Sequence, residues 1–258
     1  MERKKQISAM CETEEEKMLL IRVCDKLERA MDRELAASSC FLTPRQQALL
    51  GKILPNCDFF GGTEGTERNV AYHCPEYLSK EDYFSEDIIS CIEASFYEKN
   101  ALSHRDVLGA LMGAGIKREA VGDIIIYENK CQIFVLGELR KYLLDNLTSA
   151  GRHHLSLTKI DPKTVQKPPQ KMKEARITVS SLRLDGVISG AFHLSRGRAA
   201  ELIRSGQVSL NALTCLKPDH SVEEADEISV RGMGKMKILS LHGQTKKDRT
   251  ALTVGIFL

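Results

Sequence analysis

Apolar residues recur at helical spacing through Leu19, Leu20, Val23, Leu27, Ala30 and Met31, which predicts one long amphipathic helix near the N-terminus. Thr13 followed by Glu14, Glu15 and Glu16 is a helix start, with a capping hydroxyl and acidic residues in the first turn. A second start stands at Thr43-Pro44, with Ala48, Leu49, Leu50 and Ile53 inward and Pro55 closing the segment. From Phe59 to Arg68 the glycines Gly61, Gly62 and Gly65 punctuate a turn between strand-like pieces. No helix pattern follows directly, so the stretch reads as a hairpin turn and not as a phosphate loop.

The pattern changes after about Ser85. A strand over Ile92–Phe96 precedes Ser103-His104-Arg105-Asp106, a capping box that opens a helix through Leu108, Leu111 and Met112. Gly113 and Gly115 end that helix. Strand-like runs at Ile124–Tyr127 and Gln132–Leu136 flank the turn Glu128-Asn129-Lys130, then come a helix from Glu138 to Leu147 and a strand at His154–Thr158. The resulting β-α-β-β-α-β order is the ferredoxin-like arrangement shared by RNA-recognition folds. Such modules stack bases on exposed strand aromatics. Here the central strand around Gln132, Phe134 and Leu136 offers one aromatic, so an RNA contact would be electrostatic or shape-based, and a structural or protein-binding role stays equally open.

The last third carries the most specific chemistry. Leu182–Asn211 reads as two short helices joined by a basic elbow, a glycine stop at Gly206 and a strand through Val208 and Leu210. Ser195 can cap the second helix, whose apolar side is Ala199, Ala200, Leu202 and Ile203. Arg196 and Arg198 fall in its first turn, where positive charge opposes the helix dipole; an external anion accounts for them, and two solvated arginines are the bland alternative. The preceding stretch, Asp161–Lys173, holds Pro162, Pro168, Pro169 and four lysines, and is expected to be an extended, mobile basic arm.

Charge divides along the chain. Residues 1–151 hold 19 Lys/Arg against 25 Asp/Glu, residues 152–175 hold 6 against 2, and residues 176–258 hold 12 against 8. Positive charge therefore gathers in the C-terminal third, as expected where one end meets a polyanion. At 42% hydrophobic and 28% charged residues the chain is a globular protein. It has no apolar run of the roughly 20 residues needed to span a bilayer, and no secretory signal, so cytoplasmic residence without a membrane partner is expected. The eight cysteines form no Cys-x-x-Cys pair, which argues against a zinc site and for small buried hydrophobes in a reducing compartment.

Several motifs bear on catalysis. Gly109–Gly115 is glycine-rich but lies within or at the end of a helix, unlike a dinucleotide loop. Lys235-Met236-Lys237 lies in an expected strand without the rest of a synthetase signature, and His104, His153 and His154 sit in capping or strand positions. Arg183-Leu184-Asp185 is superficially like the motif of pseudouridine synthases, whose aspartate is a nucleophile. Asp185, however, stands at a helix start, where a carboxylate is electrostatically favoured. No catalytic constellation, metal site or cofactor site emerges, and a non-enzyme is expected.

Two resemblances sharpen this reading. Arg183-Leu184-Asp185, Leu194-Ser195-Arg196-Gly197, Ile203-Arg204-Ser205-Gly206 and Val208-Ser209-Leu210-Asn211 closely resemble the S4-type RNA-binding domain, with Gly197 replacing a small polar residue. Asp226–Gly232 and Gly234–Ile238 are similar to its closing strands. The resemblance implies a main RNA face of Arg183, Ser195, Arg196, Arg198 and Arg204, with Asn211, Lys235 and Lys237 as secondary members. Over nearly the whole chain, Phe41–Gln46, Phe60-Gly61-Gly62 with Gly65, Glu67 and Arg68, Leu102–Met112, Gly115–Glu119 and Gly122-Asp123-Ile124 resemble the YlmH family. One departure is Asn69-Val70, where family members often continue with basic residues.

These resemblances imply an α+β chain: an N-terminal helical α/β domain over 1–75, a ferredoxin-like, RRM-like domain over 76–160, a basic linker over 161–179 and an S4 domain over 180–258. They also imply a monomeric, non-enzymatic factor without cofactor that binds rRNA and peptidyl-tRNA on the large ribosomal subunit in ribosome-associated quality control. The alternatives are an S4-containing RNA-modifying enzyme and an RNA-anchored adaptor in cell division.

Overall fold

Thr13 accepts the backbone N–H of Glu16 at 3.1 Å and so starts the long helix where its sequence pattern begins. The structure, a computed structural model, describes residues 2–85, 87–97, 102–168, 170–244 and 249–258; Pro169 of the expected arm lies outside them. The fold is mixed α and β with several separate sheets, and the chain divides into the units Met1–Lys167 and Pro168–Leu258.

The first unit opens with α1 (Glu2–Met10), α2 (Glu14–Asp32), β1 (Ala37–Leu42) and α3 (Pro44–Ile53). Thr43 and Gln46 cap α3 reciprocally, at 3.3 and 2.8 Å. β2 (Asp58–Phe60) and β3 (Asn69–His73) form the antiparallel hairpin that the glycine-punctuated turn predicts, and the sheet runs β1-β3-β2. α1, β1 and the short α4 (Lys80–Ser85) have no counterpart among the elements that the sequence pattern predicts.

β4 (Ile89–Ser95), α5 (His104–Gly113), β5 (Val121–Ile126), β6 (Lys130–Leu136), α6 (Arg140–Asn146) and β9 (Ser156–Ile160) follow, with a small hairpin of β7 (Ser149–Ala150) and β8 (His153–His154) before the last strand. The four long strands make one sheet in the order β5-β6-β4-β9, every neighbouring pair antiparallel. Because side chains alternate across a strand, this sheet presents two faces. On one, Ile92, Ala94, Ile133 and Val135 pack with Val107 and Leu111 of α5 and Leu143 of α6. On the other, Ile89, Cys91, Ile125 and Phe134 pack with Phe41 of β1, Val70 of β3 and Val165. Phe134, the aromatic that the central strand offers for base stacking, is fully buried there.

The expected mobile arm differs in its first half. A 3₁₀ turn over Pro162–Thr164 is followed by buried Val165, whose carbonyl accepts from Thr63 at 3.0 Å, and Lys167 is ion-paired at 2.9 Å with Asp123. The chain is held there because one apolar residue, Val165, completes a core, which a count of lysines and prolines does not reveal.

The second unit begins with β10 (Met172–Val179), a strand where the sequence suggests a linker. α7 (Leu184–Ala191), α8 (Arg196–Arg204), β11 (Val208–Leu210), β12 (Leu213–Thr214), β13 (Glu227–Val230), β14 (Gly234–Gln244) and β15 (Thr250–Phe257) complete it. The sheet order is β10-β15-β14-β13-β11-β12, all antiparallel. Leu184, Val187, Ile188, Leu202 and Ile203 of the helix pair share a core with Ile228, Val230, Met236, Ile238, Leu252 and Val254. Each of these large side chains contributes about 1.5–3 kcal/mol on leaving water.

Candidate nucleic-acid interface

α7 and α8 meet through a tight elbow at Phe192-His193-Leu194. His193 takes φ +54°, and the Ser189 hydroxyl donates to the Leu194 carbonyl at 2.7 Å. Ser195 then caps α8 by accepting the N–H of Arg198 at 3.2 Å. The N–H groups of Arg196 and Gly197, at the very start of the helix, have no intrahelical acceptor. A Cβ added at Gly197 would meet nothing within 4 Å, so this surface is open to close approach.

Asp185 organises the charges around that helix end. Its carboxylate is buried, with the residue 4% exposed, and accepts Nε and Nη2 of Arg183 at 3.3 and 3.0 Å and Nη2 of Arg196 at 3.3 Å. Burial by itself would raise its pKa. The hydrogen bonds from Arg183 and Arg196 outweigh that and hold the carboxyl below its ordinary value. One buried anion thus fixes two half-exposed guanidiniums, leaving a net positive cluster whose remaining N–H groups face outward. The N–H groups of Leu184 and Asp185 go to the carbonyls of His220 and Pro218, so the Asp185 carboxylate is spent on the arginines and not on its own helix end. Sequence reasoning placed Asp185 only as a favourable helix-start charge. The usable signal was the Arg-x-Asp spacing, but its second partner, Arg196, comes from the next helix.

The other expected site residues separate. Arg198 lies on the exposed side of α8, paired at 2.7 Å with Glu201, and Arg204 is exposed in the last turn. An exposed pair of this kind is worth little and exchanges readily for another anion. Asn211 is a turn residue at φ +49°: its amide donates to Asp226 at 2.7 Å and its Oδ1 accepts the Glu227 N–H at 2.9 Å, which fixes the β11–β12 turn. Lys235 and Lys237 alternate along β14 with Met236 and Ile238, which point into the helix-side core. Strand alternation therefore puts both lysines on the sheet face away from α7 and α8. Lys235 is held there by Glu227 at 2.7 Å and lies 5.1 Å from the centre of the Phe257 ring. The structure brings together Arg183, Ser195 and Arg196, with Arg198 and Arg204 along the same helix, and leaves the two lysines on the other side of the layer.

In the first unit, the glycine-punctuated hairpin is fastened and not free. The N–H groups of Glu67 and Arg68 donate to the two Asp123 oxygens at 3.0 and 2.9 Å, and Lys167 joins the same carboxylate. Arg68 is half-buried, donating to the carbonyls of Val121, Phe41 and Arg118 at 3.0, 3.2 and 3.3 Å. Desolvation, then the nearby Arg118 charge, pull its pKa down to about 10. Asn69 bridges to Gln47 at 2.9 Å and to Thr66 at 2.8 Å, so the polar residue at the family departure is also structural. Gly62 takes φ +103° with its α-carbon against the Phe134 ring, a position no side chain could share. Donors of a phosphate loop would have to be vacant, and these are occupied.

No group of three or more His, Cys, Asp or Glu side chains stands close enough to hold a metal ion among the described residues. All eight cysteines are free thiols. No helix among the described residues is long and apolar enough to cross a membrane.

Comparison with known proteins adds three findings. The family model described as "Putative RNA-binding domain in YlmH" matches residues 81–164. That segment contains the β5-β6-β4-β9 sheet and its helices, and ends before the α7–α8 pair. The ribosome-associated protein quality control protein P2 of Bacillus subtilis (strain 168) is 34% identical over 218 residues, spanning 83% of this chain and 84% of that protein. The solved structure of the cell division protein ylmH from Streptococcus pneumoniae aligns at 23% identity with a TM-score of 0.49, covering 57% of this chain and 92% of that one.

Proposed function

The chain belongs to the YlmH family, and on that footing we propose that it is a non-enzymatic RNA-binding protein of ribosome-associated quality control. It is a cytoplasmic monomer that grips rRNA and peptidyl-tRNA on the large ribosomal subunit. The second unit is its S4-type RNA-binding domain, and the β5-β6-β4-β9 sheet is a ferredoxin-like, RRM-like domain. The observation that carries this reading is the Arg183–Asp185–Arg196 cluster at the start of α8. Two guanidiniums fixed in advance beside vacant helix N–H groups suit a phosphate oxygen, because their ordering is complete before RNA arrives.

The matched middle segment makes a second contact. One sheet face there is largely covered by Phe41, Val70 and Val165, so its contact falls to the helix side, where Arg105, Lys141 and Arg152 are exposed. These side chains position RNA through its backbone and do not read base edges.

Replacing Arg196 and Arg198 by Ala tests the site. Affinity for large subunits should fall. With two phosphates no longer neutralised, the log–log salt slope on single-stranded RNA should flatten by about 1.4. Unchanged affinity and slope would refute the assignment.

A further inference from the structure

α2 carries a feature that neither its core packing nor the RNA face of α8 uses. Arg22, Lys26 and Arg29 of the helix and Arg33 at its C-cap are all exposed and follow one another at steps of four, three and four residues. At about 1.5 Å of rise per residue they form a line of roughly 16.5 Å along one side of the helix. Like charges at three- and four-residue spacing oppose helix formation. The helix dipole accounts for cations near the C-terminal end, at Arg29 and Arg33, but not for Arg22 and Lys26 in the middle. Lys26, Arg29 and Arg33 make no ion pair among the described residues, and Arg22 reaches Glu119 only at 3.8 Å. The concentration is the more marked because residues 1–151 as a whole carry an excess of acid.

The four cations line one wall of a groove of about 430 Å³, together with Asp25 and the half-exposed Leu35. The groove continues towards β1, an edge strand of its sheet. We propose that this outward face of α2 is a further track for the phosphodiester backbone of RNA, distinct from the α8 site and from the helix side of the middle segment, and resting on the RNA-binding reading above. A single strand at about 3.4 Å of rise per nucleotide places some five phosphates along the line. An acidic protein partner is less well served: the groove's apolar lining is Leu35 and a few alanines, too little to seat an amphipathic helix. Guanidiniums and an ammonium spaced along an open groove match a repeating anion instead.

The test uses the full chain and a 20-nucleotide oligouridine, titrated over a range of salt. Lys26→Gln, Arg29→Gln and Arg33→Gln together should flatten the log–log salt slope by about 2, the value for three phosphates left unneutralised on a single strand. Lys4→Gln, Lys5→Gln and Lys52→Gln remove the same charge from exposed positions of α1 and α3 and should leave the slope nearly intact. An unchanged slope in the α2 variant, while Arg196→Ala/Arg198→Ala still flattens it, overturns this inference and leaves the proposed function standing. Equal flattening in the lysine control also overturns it, since net charge alone would then be responsible. No flattening in any variant overturns both readings. A slope unaffected by the α2 substitutions, with loss of binding to a large-subunit protein instead, assigns the face to an acidic protein surface and refutes the RNA track.

Discussion

Asp185→Asn isolates what the buried carboxylate contributes, because the side chain keeps its shape and loses its charge. In the native protein three N–H groups from Arg183 and Arg196 converge on its two oxygens at 3.0–3.3 Å. An asparagine offers one neutral carbonyl oxygen and in either orientation sets its NH2 group against an N–H of Arg183, so the two arginines are held less firmly. Hydrogen bonds to a charged group are worth about 1.5–3 kcal/mol each. Both guanidiniums are roughly half exposed and screened, so the loss for Asp185→Asn should be only about 1–2 kcal/mol of stability in the second unit. The carboxyl pKa is depressed, so its contribution is present above the unfolded-state value of about 3.9 and fades as pH falls through the lower folded value. Urea titrations of wild type and variant should therefore differ at neutral pH and converge in acid.

RNA binding gives the sharper readout of the same change. The variant retains both arginines but must order them on binding, at about 0.5–1.5 kcal/mol for each side chain, or roughly 2- to 12-fold in Kd per arginine. The salt slope should hold or steepen, since no cation has been lost and an anion has. Weaker binding with an undiminished slope is the signature of lost positioning, in contrast to the flattening expected for Arg196→Ala/Arg198→Ala. Binding as tight as wild type would refute the argument that Asp185 prepares the site, whatever happens to stability.

Asp123→Ala should cost about 3 kcal/mol in urea unfolding of the first unit, because it strands two backbone N–H groups and the Lys167 ammonium that now share one carboxylate. Gly197→Ala should raise the melting temperature of the second unit, gaining about 0.5–1 kcal/mol at an α8 position with open space around it. Native thiol titration at pH 8 should find Cys24, Cys57, Cys91 and Cys131 unreactive until denaturant is added: burial pushes the first two thiols up to about 11 and the last two up to about 12.

The helix starts at Thr13, Thr43, Ser103 and Ser195 were legible because a cap and its partner lie within four residues of each other. The hairpin around Gly61-Gly62 was legible for a similar local reason. β10 was not: Lys173, Glu174 and Arg176 give it the polarity of a linker, and only pairing with β15, some eighty residues later, makes it a strand. At the candidate site, Ser195 and the arginines of α8 were legible from local pattern, whereas the joining of Arg183 to Arg196 depends on a buried acid and a helix elbow. That Lys235 and Lys237 lie on the opposite sheet face from those arginines was legible too, since Met236 and Ile238, alternating with them, mark the inward side of the strand. Asn211 matched a motif position whose work in this fold is to hold a turn.

The covered face of the β5-β6-β4-β9 sheet bears on how the protein can be taken apart. Residues 81–164 have a family identity of their own, yet Ile89, Cys91, Ile125 and Phe134 are kept dry by side chains at positions 41, 70 and 165, all outside that segment. Excised along its homology boundaries, the segment would turn an aromatic and three apolar side chains to solvent on a flat sheet face, a surface prone to self-association. Apparent RNA binding or oligomerisation by such a fragment would then report on the cut. A soluble, faithful fragment has to carry the first strands and run past Val165, so the smallest portable piece is larger than the family module it contains.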